Sequence, residues 1–222
     1  MNKLVNKVLA VSLLMFGTIG TSQAAVIVHD TIAEFTTLTY SIPNGAFSGS
    51  IANNRQLLGN LFDNDTSTML SLGNGGSLAA VINPTSNSIA SGSIIELTNG
   101  NAHDESAIVF LGINGGGWIN IGELFGNANN GGNSVVNNGS GYATLSVGPN
   151  ASASVFTINV LSSGFNSIMI QDNTLSLKPD SASQDGFDIA SFSVTSVSSP
   201  ATLGLLGFGL VAIGFAARRR KA

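Results

Sequence analysis

The chain has 222 residues and no cysteine, so its stability must come from packing, or from packing together with a bound metal. All twelve acidic residues lie between Asp30 and Asp188, where the only basic residues are Arg55 and Lys178, which gives this body a net charge of −10. Such an acidic body excludes nucleic acid as a partner, because phosphate binding requires clustered Lys and Arg.

The first residues have the pattern of a secretory signal peptide. Lys3 and Lys7 precede the apolar segment Val8–Ile19, and small residues follow as far as Ala24. A charged start, a short apolar run and small residues before the cleavage site are typical of export signals. We therefore predict a signal peptide over residues 1–24 with cleavage after Ala24, or after Ala25 as the alternative.

Residues 25–197 are predicted to form one all-β domain, a β-sandwich of the jelly-roll kind. This length suffices for a single hydrophobic core. Helical periodicity is absent, and short alternating or apolar segments recur between clusters of Gly, Asn, Ser and Pro, which is typical of sandwiches. The predicted strands are Glu34–Ile42, Thr68–Leu72, Ser77–Ile82, Ser93–Thr98, Ser106–Ile113, Trp118–Leu124, Tyr142–Val147, Ser154–Leu161, Ser167–Gln171 and Asp188–Val197.

Three segments give more local predictions. Ala107–Leu111 is apolar at every position, which predicts a central strand covered on both faces. Asn114–Gly117 is predicted to be a hairpin connection, because Gly readily supplies the positive φ that such turns use. Asn127–Gly141 is rich in Asn and Gly and is predicted to be a mobile loop.

Two groups of acidic residues are candidate ligands for a structural calcium ion, which prefers hard oxygen ligands. The alternative is that Asp and Asn occur there as good turn formers and that no cofactor is bound. The first group lies in one short loop and the second near the end of the body: Asp63 and Asp65, then Asp180, Asp185 and Asp188.

Candidate residues for chemistry and for ligand binding are few. His29 is expected in a mobile N-terminal end and His103 in a solvated loop, and no nucleophile or metal motif is present. No catalytic residue is predicted, and a carboxylate-based polysaccharide hydrolase is only a minor alternative. Trp118, Tyr142 and Tyr40 are candidate aromatic platforms for sugar rings, although we expect Trp118 to anchor the core instead.

Residues 198–222 have the pattern of a membrane address. Small residues and a proline lead into the uncharged apolar run Ala201–Ala217, which just reaches the length of a membrane-spanning helix. A basic cluster beside such a span is retained on the cytoplasmic side, so the body is expected to face outward. The cluster consists of Arg218, Arg219, Arg220 and Lys221.

This tail resembles the PEP-CTERM sorting signal of Gram-negative bacteria. Pro200, Ala201, Thr202 and Leu203 match the later half of the family pattern, whereas Ser198 and Ser199 replace its first Pro and its Glu. The resemblance implies transient anchoring in the inner membrane and cleavage near Ser199–Thr202 by an exosortase-type enzyme. An anchor that is never cleaved is the alternative.

The body also resembles galactose-binding-like, discoidin-type jelly rolls. The resemblance rests on short segments in the right order: Leu70–Gly73, Gly75–Leu78, Glu105–Val109, Gly117–Ile119, Phe165–Asp172 and Asp185–Ile189. Such folds carry carbohydrate-binding modules as well as adhesive and structural domains. We predict an exported structural or adhesive protein of the cell surface or exopolysaccharide matrix of a biofilm, with a lectin-like carbohydrate-binding module as the alternative.

Overall fold

The computed structural model describes residues 24–43, 53–65, 67–83, 87–96, 104–127, 133–148, 154–174 and 186–198. The chain divides into two compact units, one made of Met1–Ala25 with Ser198–Ala222 and the other of Val26–Val197. In the first unit the backbone amide of Ser198 donates to the carbonyl of Ala25 at 3.0 Å. The second unit contains the β-sheets described below.

Twelve strands and three short 3-10 helices are found in the described residues. The helices are η1 (Ile32–Glu34), η2 (Asn53–Gln56) and η3 (Leu58–Leu61). The strands are β1 (Val26–His29), β2 (Thr37–Ser41), β3 (Leu70–Ser71), β4 (Ser77–Val81), β5 (Asn87–Glu96), β6 (Asp104–Ile113), β7 (Gly116–Asn127), β8 (Ser134–Asn137), β9 (Ala143–Val147), β10 (Ser154–Val160), β11 (Ser167–Asp172) and β12 (Asp188–Ser198).

The strands form two sheets that pack face to face as a β-sandwich. Sheet A has the order β1-β12-β5-β10-β9, with β3 also paired to β12, and sheet B has the order β2-β4-β11-β6-β7-β8. The pairs β1–β12 and β9–β10 of sheet A are antiparallel, as is every neighbouring pair of sheet B. Strands distant in sequence therefore become neighbours, which brings β2 and β4 onto the sheet that contains β7.

Alternate residues of the strands fill the core between the sheets. Sheet B contributes side chains such as Leu78 and Ile170, and sheet A contributes side chains such as Phe156 and Phe192, all of which are almost completely buried. Burying one such side chain stabilises the fold by about 1.5–3 kcal/mol relative to leaving it exposed. The period-two pattern that predicted these strands is the pattern that fills the core.

The all-β prediction is confirmed, and each of the ten predicted strands overlaps a strand of the structure. Two strands were missed. β1 directly follows the predicted signal peptide, in the end that was expected to be mobile. β8 lies inside Asn127–Gly141, so the prediction of a loop there is wrong for Ser134–Asn137.

β6 is central in sheet B, as predicted, but only its inner face is fully covered. Val109 and Leu111 are completely buried, whereas Ile108 and Phe110 on the outer face are half-buried. The prediction that both faces of this strand are covered is therefore wrong. The outer face of sheet B is partly apolar and partly accessible to solvent.

Candidate functional site

Trp118, the single tryptophan of the chain, is half-buried on the outer face of sheet B. Its neighbours along β7, Ile119 and Ile121, pack in or against the core. Successive residues of a strand face opposite sides of the sheet, so Trp118 must face away from the interior. The expectation that Trp118 anchors the core is wrong. The direction of its side chain is determined by the alternation of residues along β7, in which Ile119 faces the core, and not by the size and apolarity of tryptophan.

A glycine beneath the indole lets Trp118 lie close to the sheet. β7 has one extra residue at this point, so that Gly117 and Trp118 together lie opposite Gly112 of β6. A Cβ atom on Gly112 would lie 2.7 Å from Cε3 of Trp118. Bulges of this kind redirect a side chain, and Gly117 accommodates this one with a φ of 58°.

The indole forms one wall of a groove of about 490 Å³ on the outer face of sheet B. The opposite wall comes from β2 and β4, where Thr37 pairs with Val81 and Thr39 with Ala79. We call this feature the Trp118 groove. It is lined by Thr36, Thr37, Thr39, Ala79, Val81, Asn114, Gly115 and Trp118.

The tip of the β6–β7 hairpin is held over the sheet by two buried polar side chains. The backbone amide of Asn114 donates to Oδ1 of Asn166 at 2.7 Å, and that of Gly115 donates to Oγ of Ser167 at 2.8 Å. The Nδ2 group of Asn166 also donates to Oδ1 of Asn114 at 3.1 Å. These bonds fix the hairpin tip, so one end of the groove is preformed.

The hairpin is confirmed, although its turn is only Asn114–Gly115 and β7 begins at Gly116 rather than at Trp118. Asn114 and Gly115 both have positive φ, of 53° and 74°, which is the pattern of a two-residue turn of type I′. The Asn-Gly pair at these positions favours that turn. The local sequence therefore determines where the tip of the groove lies.

The Trp118 groove is uncharged and has hydrogen-bonding groups on its rim. Thr36, Thr37 and Thr39 are exposed, and none of the described residues that line the groove is ionisable. Among the described residues, no side chain bonds to the hydroxyl groups of Thr37 and Thr39. The groove therefore combines one aromatic face with hydroxyl groups that are free to bind a ligand.

The apolar character of the outer face continues beyond the groove. Met169 of β11 lies in register between Ala79 of β4 and Phe110 of β6. All three side chains are half-buried. A sheet face in contact with water alone is normally polar. This row of apolar side chains therefore makes the outer face of sheet B unlike an ordinary solvent-facing sheet face.

Tyr142, the second candidate ligand residue, is placed elsewhere. Its side chain is 41% exposed and packs edge-on against Phe165, with ring centroids 5.5 Å apart. It does not line the Trp118 groove. The structure therefore does not place the two predicted aromatic residues in one groove.

The carboxylates of Asp63 and Asp65 are used within their own loop. Asp63 accepts hydrogen bonds from the amide of Asp65 at 2.9 Å and from the Thr68 hydroxyl at 2.6 Å. Asp65 accepts from the hydroxyl and the amide of Ser67, and these bonds hold the pKa of Asp65 below its usual range. Such bonds are typical of Asp in turns.

Only one residue of the second acidic group lies within the described residues. Asp180 and Asp185 lie outside the described residues, whereas Asp188 is buried and its Oδ1 accepts a hydrogen bond from Ser71 at 2.5 Å. In the described part of the chain, no three His, Asp or Glu side chains are grouped so that they could hold a metal ion. The calcium site stays a prediction.

Sequence reasoning missed that several carboxylates are buried. Each lies at or next to a strand end, which is the signal that could have indicated polar groups closing the ends of the core. The backbone amide of Asp188 donates to Glu105 at 3.3 Å, which brings two of these residues together. The buried carboxylates are Glu96, Glu105, Asp172 and Asp188.

His29 is ordered in β1 and 5% exposed, contrary to the expectation of a mobile end. Its Nε2 atom is 2.9 Å from the Ser196 hydroxyl, and its ring packs 5.9 Å from that of Phe35. His29 is therefore a packed side chain of the sandwich. His103, the other histidine, lies outside the described residues.

Most of the predicted sorting residues lie outside the described residues, including Ser199–Thr202 and Arg218–Lys221. Ala24, the predicted cleavage position, is described and is half-buried. Within the described ranges, no helix has the length and apolarity needed to cross a membrane.

No family model matches the chain, and no curated protein matches it. Among solved structures, the chain is similar to the family 32 CBM, a carbohydrate-binding module, from C. perfringens NanJ, solved in complex with galactose, at 17% identity and a TM-score of 0.38. The match covers 78% of this chain and 98% of that one. The assignment of this chain as a β-sandwich rests on its own strand order.

Proposed function

We propose that this protein is an exported structural or adhesive component of the cell surface or exopolysaccharide matrix. Export is inferred from the signal peptide over residues 1–24 and from the sorting signal over residues 198–222. In this proposal an exosortase-type enzyme processes the tail while residues 201–217 hold the chain in the inner membrane. The jelly-roll body, facing the periplasm, is then released to the surface.

The observation that carries the adhesive role is the partly apolar outer face of sheet B. Phe110, Met169 and Trp118 are half-buried there, where a sheet face in contact with water alone would normally be polar. Partly accessible apolar side chains that adjoin one another on a sheet face are typical of interaction surfaces. We infer that this face contacts other components of the matrix.

Fractionation of the producing cells tests the exported location. We expect the body in the surface or extracellular fraction, with a mature N-terminus just after Ala24 and a mass that lacks residues Arg218–Lys221. A matched variant in which the four basic residues are replaced by Ser should be mislocalised, because the positive charges fix the orientation of the tail. Recovery of the unmodified chain in the cytoplasm would refute the proposal, and export with the basic cluster still attached would indicate an uncleaved anchor.

A carbohydrate-binding module is the second candidate function. The observation that favours it is the position of Trp118 outside the core, beside the free hydroxyl groups of Thr37 and Thr39. An aromatic face next to a few polar groups is the usual composition of a small-molecule site. This candidate differs from the first in requiring a defined ligand.

A further inference from the structure

We infer that the Trp118 groove binds uncharged sugar units of a polysaccharide, with one pyranose ring stacked on the indole of Trp118. The inference rests on the proposed function, since it names the matrix component that the outer face of sheet B contacts. It also places the contact on the face of a sheet, between the β6–β7 hairpin tip and the strands β2 and β4.

The indole of Trp118 is held in place by the sheet beneath it. Trp118 is half-buried and packs down onto Gly112, where no Cβ atom intervenes. A ring that the sheet already holds in place loses little freedom when a ligand covers it. The C–H face of a pyranose ring is apolar and flat enough to cover an indole, while its hydroxyl groups point outward.

Polar groups lie on both walls of the groove. Thr37 and Thr39 are two residues apart on one strand, so their side chains lie about 7 Å apart on the same face. On the hairpin side, Asn166 donates to Oδ1 of Asn114, which leaves Nδ2 of Asn114 with no partner among the described residues. The groove thus offers hydroxyl groups on one wall and an amide donor on the other, which suits the ring of hydroxyl groups on a sugar.

The body and the groove differ in charge. The body has a net charge of −10 between Asp30 and Asp188, and no charged residue is present among the described residues that line the groove. An anionic polymer would be repelled by the body, and the described lining offers no cation to offset the repulsion. It offers no carboxylate to a cationic ligand either. The charge pattern therefore favours a neutral ligand.

A purely apolar ligand fits the groove less well than a sugar. Covering the groove with an apolar surface would remove water from the exposed hydroxyl groups of Thr36, Thr37 and Thr39 and leave them unpaired. Sugar hydroxyl groups can replace that water. The same reasoning weighs against a second copy of this chain binding through this face.

The single tryptophan provides the measurement. The full-length chain, held in a zwitterionic detergent that contains no sugar, is titrated with neutral hexasaccharides of β-1,4-linked glucose, β-1,3-linked glucose and β-1,4-linked mannose. A hexamer of galacturonic acid serves as the anionic comparison. We expect at least one neutral hexamer to change the Trp118 emission saturably at millimolar concentration or below, and the anionic hexamer to leave it unchanged.

Variants locate the site. Thr39→Val, which removes one hydroxyl group at nearly constant volume, should weaken binding by about threefold to tenfold. Thr144→Val, an exposed threonine on β9 of the other sheet, is the matched control and should bind like the parent chain. Binding to Trp118→Ala, followed calorimetrically because its fluorescence is lost, should be weakened more than about tenfold. Circular dichroism checks that each variant is folded.

Several results would overturn the inference. These are no saturable change with any neutral hexamer, preference for the anionic hexamer, equal weakening by Thr144→Val and Thr39→Val, loss of binding in Tyr142→Ala but not in Trp118→Ala, or Trp118-dependent dimerisation in sedimentation. Because binding is measured on purified protein, its failure is distinct from failure of the proposed function, which cell fractionation detects.

Discussion

Asp172 offers the sharpest test of how this sandwich is held together. The residue is 4% exposed, and its carboxylate accepts three hydrogen bonds from three parts of the chain. The donors are the amide of Gly75 at 2.8 Å, the amide of Phe187 at 2.9 Å and the hydroxyl of Thr174 at 2.6 Å. One side chain therefore ties the turn before β4 and the start of β12 to the end of β11.

The cost of Asp172→Ala can be estimated from these partners. Phe187 is completely buried, so its amide would lose its acceptor with no water to replace it, at a cost of about 1–3 kcal/mol. The Thr174 hydroxyl can turn to the carbonyl of Ser106, 3.4 Å away, and Gly75 is exposed. With the charge-assisted bonds also lost, we expect the free energy of unfolding to fall by about 3 kcal/mol.

Urea unfolding, followed by Trp118 fluorescence and by circular dichroism, measures this loss. With a typical slope of about 2 kcal/mol per molar urea, the midpoint should fall by roughly 1.5 M. Asp63→Ala is the matched control, because the Asp63 carboxylate likewise accepts hydrogen bonds, two in number, but Asp63 is exposed. This variant should cost less than about 1 kcal/mol. Equal midpoints for the two variants would refute the reasoning that burial makes these bonds costly to lose.

Three further predictions follow from the described residues. Gly122→Ala should prevent stable folding, because φ at Gly122 is 151° and a Cβ atom there would lie 2.2 Å from the carbonyl oxygen of Val136. Gly116→Ala is the control, since a Cβ atom at Gly116 would meet nothing within 4 Å. Similar melting temperatures for the two variants would contradict this reasoning. Burial and the nearby Asp188 carboxylate raise the pKa of Tyr40 to about 12. Because the pKa of Tyr40 is higher in the folded state than in the unfolded state, its contribution to the free energy of unfolding is fully present below about pH 10. As the pH rises towards 12, the free energy of unfolding falls by on the order of 1 kcal/mol, after allowance for solvent screening. Absorbance titration of Tyr142→Phe isolates Tyr40, and a midpoint near pH 10 would refute the shift. The loop of Asp63 and Asp65 should not contribute to any effect of calcium on the melting temperature, because its carboxylates already accept hydrogen bonds within the loop. A rise in melting temperature with calcium that is lost in Asp65→Asn would favour a metal site in this loop.

The sequence predicted the strands well wherever their apolar residues alternate over five positions or more. β10 is an example, since Phe156 and Ile158 are buried and Asn159 is exposed. β8 was missed because Val135 and Val136 are adjacent rather than alternating, and because they lie among Asn and Gly. Its strand state depends on pairing with β7, a tertiary contact that local propensity does not encode.

The Trp118 groove could be predicted only in part. Trp118 was identified as a candidate ligand residue, and the turn at Asn114 followed from local chemistry. The opposite wall could not be predicted, because Thr37 and Thr39 reach the groove through the order of strands in sheet B, which brings together β2, β4 and β7. The supporting role of Gly112 likewise depends on the extra residue in β7, and nothing in the hydrophobic pattern indicates that bulge.

The distribution of charge connects the fold to the adhesive proposal. On the strands β2, β4, β11 and β6, the described outward positions beside the groove hold no charged residue. Glu123 of β7 also lies on the outer face, where its carboxylate accepts hydrogen bonds from Ser106 and Asn173. The residues that carry the net charge of −10 include none of the described residues that line the groove. Over a Debye length of about 8–10 Å this charge keeps copies of the chain apart, while the uncharged groove can still contact a neutral polymer.

Added salt should therefore promote self-association of the chain and leave binding of a neutral hexasaccharide unchanged. Light scattering measures the self-association, and the fluorescence titration measures the binding.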